Sequence, residues 1–232
     1  MTTSRSAGAI ATAAIALGLG LAGCGSDTKS EPSTAKETTS ATSTSTSEAA
    51  PTTSAQAAGP NYTIVDYIRD NDIIEAAVHR GDPGSPTIDL PTPPGWRNAG
   101  DNTPEWAYGA IVFTDPAMAQ DPPTIIALVS KLTGNVEPAK VLEFAPGEIR
   151  NLPGYEGAPA GNPSTLSGFE ATQVGGTYTK DGVKRVIAQK TVVIPGQDGL
   201  YVLQVNADGR EDQLGPLMDA TTVIDEQTKI TP

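Results

Sequence analysis

The chain has 232 residues with one cysteine and one histidine, and its 27 acidic against 15 basic side chains give a formal net charge of −12. That balance leaves no basic stripe to neutralise phosphates, which excludes nucleic acid and adhesion to anionic headgroups; cations, basic proteins and uncharged glycans suit it better. A single cysteine also excludes an internal disulfide framework, so the stability must come from an apolar core.

The first predicted element is a targeting segment over residues 1–23. Arg5 supplies a thin positive start, and Ala7 to Leu21 is an apolar run of signal-peptide length, too short to span a bilayer. Leu21-Ala22-Gly23-Cys24 closes the run and looks like a bacterial lipobox. Cleavage between Gly23 and Cys24 then makes Cys24 the lipid-bearing N-terminus; the other reading is a free thiol in an ordinary signal peptide. Each buried methylene of an anchor contributes about 0.8 kcal/mol, so two acyl chains hold where one exchanges. Lipidation also removes the one thiol from catalysis and metal binding.

Residues 24–60 carry that cysteine and a tether dominated by Ser, Thr, Ala, Pro and Glu. The tether lacks large apolar side chains, so it cannot offset the entropy of ordering and is expected to be disordered. As a coil it averages about 30 Å end to end and stretches to about 110 Å. Such stalks are also O-glycosylation substrates, and an unmodified spacer is equally open.

Residues 61–232 read as one globular domain, in which Lys and Arg total 12 and Asp and Glu total 23. Ile64, Tyr67 and Ile68 recur at helical spacing between Thr63 and Asn71, with Thr63 able to cap. Short extended runs follow at Ile74–Val78 and Thr87–Leu90, and a Pro/Gly turn then delivers Trp96. Ala107–Phe113 and Thr124–Leu132 read as buried strands. Pro138 to Asn151 reads as a helix through Val141, Leu142, Ile149 and Leu152, with Pro146 arguing for a kink or break. A loop over Pro153–Pro163 precedes the clearest β signal, Phe169–Tyr178 paired with Val183–Ile194 across Lys180-Asp181-Gly182. Asp198-Gly199 starts a further strand, Leu200–Asn206. A last helix, Gln213 to Gln227, places Leu214, Leu217, Met218, Thr221 and Ile224 on one stripe. The expected fold is α+β, an antiparallel sheet flanked by helices in a sandwich.

The residues offer little for catalysis. His79, beside Arg80-Gly81-Asp82, is the one available imidazole base, and no Gly-x-Ser-x-Gly elbow accompanies it. Zinc lacks ligands once Cys24 is lipidated, and no phosphate-cradling loop or cofactor fingerprint is present. Asp70/Asp72, Glu211/Asp212 and Asp225/Glu226 read as solvated carboxylates. The positive candidates are aromatic: Trp96, Trp106 and Tyr108 cluster around a Pro/Gly-rich segment, with Tyr155 as a further one. Their faces can stack on sugar rings or line an acyl groove, or Trp96 and Tyr108 can be core packing under a loop.

The segments "PNYTIVDYIRDNDI", "GDPGSPTIDLP", "SKLTGNVEPAKVLEFAPGE", "AQKTVVIPGQDGLYVLQVNAD" and "LMDATTVIDEQTKITP" closely resemble the mycobacterial LpqN/LpqT lipoprotein family. The resemblance runs through nearly all of residues 59–232. It implies a PsbP-like sandwich in a cell-envelope lipoprotein held by its lipid on the extracytoplasmic side. It further implies association with trehalose-mycolate glycolipids, with MmpL-type transporters and with host-facing interactions.

Three functions are compatible with these residues. The first is a non-catalytic accessory that binds or hands over an envelope glycolipid. The second is a protein-interaction module, within the envelope or toward a host protein in virulence. The third is an envelope ester hydrolase, which would need His79 as its base.

Overall fold

In the computed structural model, which describes residues 59–232, Thr63 opens helix α1 (Ile64–Asp70). Its hydroxyl accepts from the Asp66 N–H at 3.1 Å while the Asp66 carboxylate accepts from the Thr63 N–H at 3.0 Å. This reciprocal capping box satisfies two donors that helix geometry leaves without partners. Strands β1 (Ile74–Ala77), β2 (Thr87–Asp89), β3 (Trp96–Asn98), β4 (Gly109–Phe113) and β5 (Thr124–Thr133) follow. The expected middle helix is two helices, α2 (Pro138–Phe144) and α3 (Pro146–Arg150), because Pro146 cannot supply the N–H that would continue α2.

The stretch expected as a loop after Pro153 contains β6 (Glu156–Gly157) and leads into β7 (Asn162–Leu166). Strands β8 (Phe169–Lys180) and β9 (Val183–Pro195) form the predicted hairpin, with Asp181 and Gly182 both at positive φ. Strand β10 (Leu200–Arg210) runs four residues past Asn206, and helix α4 (Leu214–Gln227) is followed by β11 (Lys229–Thr231).

Strands β3-β4-β5-β10-β9-β8-β6 form one antiparallel sheet, with β1 also on β5 and β7 also on β8; β2 and β11 pair separately. The architecture is α+β, as the sequence predicts. Alternation along β10 sorts the core into two faces. Leu203, Val205 and Ala207 meet Leu217, Ala220 and Ile224 of α4, and the β2–β11 ribbon adds Ile88 and Ile230. Leu200 and Val202 point the other way, against Ile64 and Tyr67 of α1 and Val141 of α2. Each Leu, Ile or Val among them contributes roughly 1.5–3 kcal/mol on full burial.

Helix α4 differs from its predicted stripe in an informative way. Leu217 and Ile224 are buried, but Leu214 is 46% exposed and Met218 59% exposed. Helix α4 and the β2–β11 ribbon rest on a sheet much wider than themselves, so the flank of α4 that carries Leu214 and Met218 overhangs the sheet.

Candidate functional site

That overhang makes a trough between α4 and the adjacent face of β8 and β9. At one end, a cavity of about 290 Å³ is lined by Val186, Ala188, Ala207, Leu214, Leu217 and Met218, with Gly175 and Gly176 in its floor. At the other end, a cavity of about 330 Å³ shares Gly175, Ala188 and Thr221 with the first and adds Asn162, Gln173, Lys190 and Asp225. The trough is therefore apolar at the N-terminal end of α4 and polar at its C-terminal end. Its combined size falls in the range of small-molecule sites.

Small residues keep the floor open. Gly175 presents no side chain to α4, and neighbouring Ala188 presents only a methyl group. Gly176 points to the opposite face, where the Tyr155 ring and the Gly157 backbone occupy the place of a side chain. Glycines inside a strand mark such close approaches. At the polar end, the Lys190 ammonium and the Asp225 carboxylate meet at 2.7 Å; the Lys190 side chain is 11% exposed and Asp225 42%.

Of the aromatic residues singled out from the sequence, Trp96 and Tyr108 belong to one core cluster, and none of the four lines this trough. Trp96 is buried with its ring 5.5 Å from that of Phe113, as core packing. Tyr108 is buried too: its hydroxyl donates to the Ile88 carbonyl at 3.4 Å and accepts from the Ile88 N–H at 3.3 Å. The Arg80 guanidinium lies over the Tyr108 ring, 5.0 Å from its centre. Trp106 alone of this group is on the surface. Tyr155 is half-buried behind the sheet, and desolvation there raises its phenol above the ordinary tyrosine range. Gly23 and Cys24, the signal segment and the tether lie outside the described residues.

The polar candidates behave as surface chemistry. His79 is exposed, with Nδ1 3.7 Å from Asp82 and Nε2 3.1 Å from the Glu105 carbonyl oxygen. Asp70 pairs with Arg69 at 2.9 Å, and that hydrogen bond holds its carboxyl below the usual range. Asp212 pairs with Arg210 at 2.9 Å and Glu211 with Lys184 at 3.4 Å. Among the described residues no three metal-ligating side chains converge, and no helix is long and apolar enough to cross a membrane.

A buried polar band under α3 has no counterpart in the sequence reading. The Gln204 amide donates to Glu148 at 3.1 Å, and Gln189 donates to Asn206 at 3.0 Å and to Glu148 at 3.4 Å. Gln189 Oε1 and Thr191 Oγ1 beside them have no hydrogen-bond partner. Burial pushes the Glu148 carboxyl above the usual range, with a smaller push from Glu75 and opposition from the two amides. Gln189 on β9 and Gln204 on β10 each stand alone among apolar and polar neighbours, so no sequence signal separates an inward amide from an outward one.

Residues 60–231 match the family model described as "Probable lipoprotein LpqN". Lipoprotein LpqN of Mycobacterium tuberculosis (strain ATCC 25618 / H37Rv) is 61% identical over 177 residues, which make up 76% of this chain and 77% of that protein. A crystal structure described as LpqN involved in cell envelope biogenesis of Mycobacterium tuberculosis aligns with a TM-score of 0.72 at 60% identity. It covers 75% of this chain and 100% of the crystallised one. A domain of that extent therefore folds without a counterpart of the remaining quarter.

Proposed function

This chain belongs to the LpqN lipoprotein family, and from that premise we propose that it is a cell-envelope lipoprotein whose domain binds an acylated glycolipid without transforming it. The ligand class is a sugar ester of the trehalose-mycolate type. The observation that carries this reading is the two-ended trough. Leu214, Leu217, Met218 and Val186 offer an acyl chain an apolar wall, and Asn162, Gln173 and Thr221 offer sugar hydroxyls partners at the far end. Each methylene laid on the apolar wall contributes about 0.8 kcal/mol when fully buried, so even a partly covered chain gains useful affinity.

The non-catalytic part of the reading is supported by the surroundings of His79, whose ring faces Asp82 and a backbone carbonyl on an exposed loop. With Cys24 lipidated, the tether keeps the domain on the extracytoplasmic side, within reach of MmpL-type transporters and other envelope proteins that supply or accept the lipid.

The test is a titration of the domain with the octanoyl ester of trehalose, followed through the Met218, Ala188 and Thr221 methyl resonances. Saturable shifts confined to these methyls are expected. Unchanged spectra at millimolar ester defeat the reading and leave a protein-interaction module in its place. Ester turnover that vanishes in His79→Ala defeats its non-catalytic part.

A further inference from the structure

We infer that the Lys190–Asp225 ion pair is the specificity element of the trough, admitting amphiphiles with an uncharged, hydroxyl-bearing headgroup and rejecting charged ones. The inference rests on the acyl-ligand reading above and adds which headgroups the site accepts. Among the residues lining the two cavities, Lys190 and Asp225 are the only charged ones. They are paired with each other at 2.7 Å, so the trough is electrically balanced inside a domain whose Asp and Glu outnumber its Lys and Arg by 23 to 12.

The positions make the pair structural to the site. Lys190 extends from β9 and Asp225 from the C-terminal half of α4, so the bridge spans the polar end from strand to helix. The 11% exposure of Lys190 buries most of its stem, and the ammonium has one carboxylate partner there, leaving donors free toward the cavity. Asp225 is the more open partner and keeps acceptor capacity. A hydroxyl both donates and accepts, so a sugar can join the pair without separating it.

A phosphate or sulfate headgroup would have to compete Lys190 away from Asp225 and sit against that carboxylate. A quaternary ammonium would have to do the reverse to Lys190. The cation leaves Lys190, 11% exposed, without its partner, which is the costly arrangement at a desolvated site, and the anion is held against the like charge of Asp225. Selectivity then comes from repulsion of the wrong headgroups as much as from attraction of the right one.

The experiment uses the domain and three amphiphiles of equal chain length: decanoyl trehalose, decyl phosphate and decyltrimethylammonium. Wild-type protein is expected to bind the sugar ester at least about tenfold more tightly than either ion, below the micelle concentration of each. Asp225→Asn keeps an acceptor for Lys190 and removes the negative charge. It is expected to gain about tenfold for decyl phosphate, a gain that fades as salt is raised. Lys190→Gln keeps a donor and removes the positive charge, and it is expected to gain for decyltrimethylammonium instead. The two variants thus shift in opposite senses, which a merely structural bridge would not produce.

If both variants fold, as judged by thermal melting, and neither gains for its ion, the specificity role is overturned while the acyl-ligand reading stands. If one fails to fold, the other still decides, because each carries its own predicted sign. If no amphiphile of any charge binds wild type or variants, the acyl-ligand reading falls and this inference falls with it.

Discussion

The hydroxyl of Tyr155 donates to the carbonyl oxygen of Gly175 at 3.1 Å from the side of the sheet opposite α4. A second acceptor, the Ala158 carbonyl oxygen, lies at 3.3 Å. The residue that looked like a ligand contact thus braces the floor of the trough from behind. Tyr155→Phe should lower stability by about 1 kcal/mol, a shift of roughly 2–4 °C in melting temperature. Binding of the octanoyl ester should stay within twofold of wild type in the same protein, measured by calorimetry; a Tyr155 that touched ligand would lose more.

Glu148 sets a pH dependence whose sign follows from its surroundings. Burial raises the folded-state pKa above the unfolded value. The contribution is therefore fully present below the unfolded carboxyl range and is lost as pH rises through the folded pKa. Glu148→Gln keeps an acceptor for the Gln204 and Gln189 amides but has no proton to release. Its melting temperature should fall less than that of wild type between acid and neutral pH, and the two curves should separate most at the alkaline end. Parallel curves from pH 4 to pH 8, a range spanning about the ordinary carboxyl value upward, would count against this assignment.

Gly147 sits where α3 crosses the entry to α1. A methyl group there would overlap the carbonyl oxygen of Tyr62. Neither backbone can yield without disturbing the edge-on packing of Tyr62 on Phe144, whose ring centres are 4.7 Å apart. Gly147→Ala is expected to cost about 2–3 kcal/mol, the upper part of the usual overpacking range. Circular dichroism melts would read this as a loss of roughly 5–10 °C.

The two tryptophans should separate cleanly. Trp96 is 7% exposed and Trp106 42%. Trp96→Ala is expected to cost about 3–5 kcal/mol, and Trp106→Ala less than about 1 kcal/mol. In chemical denaturation Trp106→Ala should keep the wild-type midpoint. Its remaining emission should be blue-shifted and poorly quenched by acrylamide, because it comes from Trp96.

Much of the fold was legible because local chemistry decided it. Thr63 and Asp66 form a cap from three-residue spacing, Asp181-Gly182 closes a hairpin, and Pro146 breaks a helix. Family membership was legible too, from long matched segments. What escaped was set by distant pairing: β11 forms only because β2 is there to receive it, with Ile230 opposite Ile88. Leu214 and Met218 fit a helical stripe, yet the sheet beneath offers them no surface to bury against. The trough escaped for a related reason. Its floor is made of small residues, and of the aromatics that draw the eye Trp96 and Tyr108 are in the core. Gly175-Gly176 inside a long strand was the one local sign of it.

Helix α4 is fastened at both ends. Fully buried Gln213 ties its start to the Arg210 N–H and the Asp121 carbonyl, each at 2.8 Å, and the β2–β11 ribbon ties its end. Gln213, α4, β11 and the central strand β10 beneath all lie from Leu200 onward, whereas the partners that receive them, Asp121 and β2, lie upstream. During synthesis in the N-to-C direction, everything upstream of Leu200 can emerge before the roof of the trough exists. A chain truncated just short of Ile230 would therefore keep most of its sheet but leave the roof of the trough unsecured.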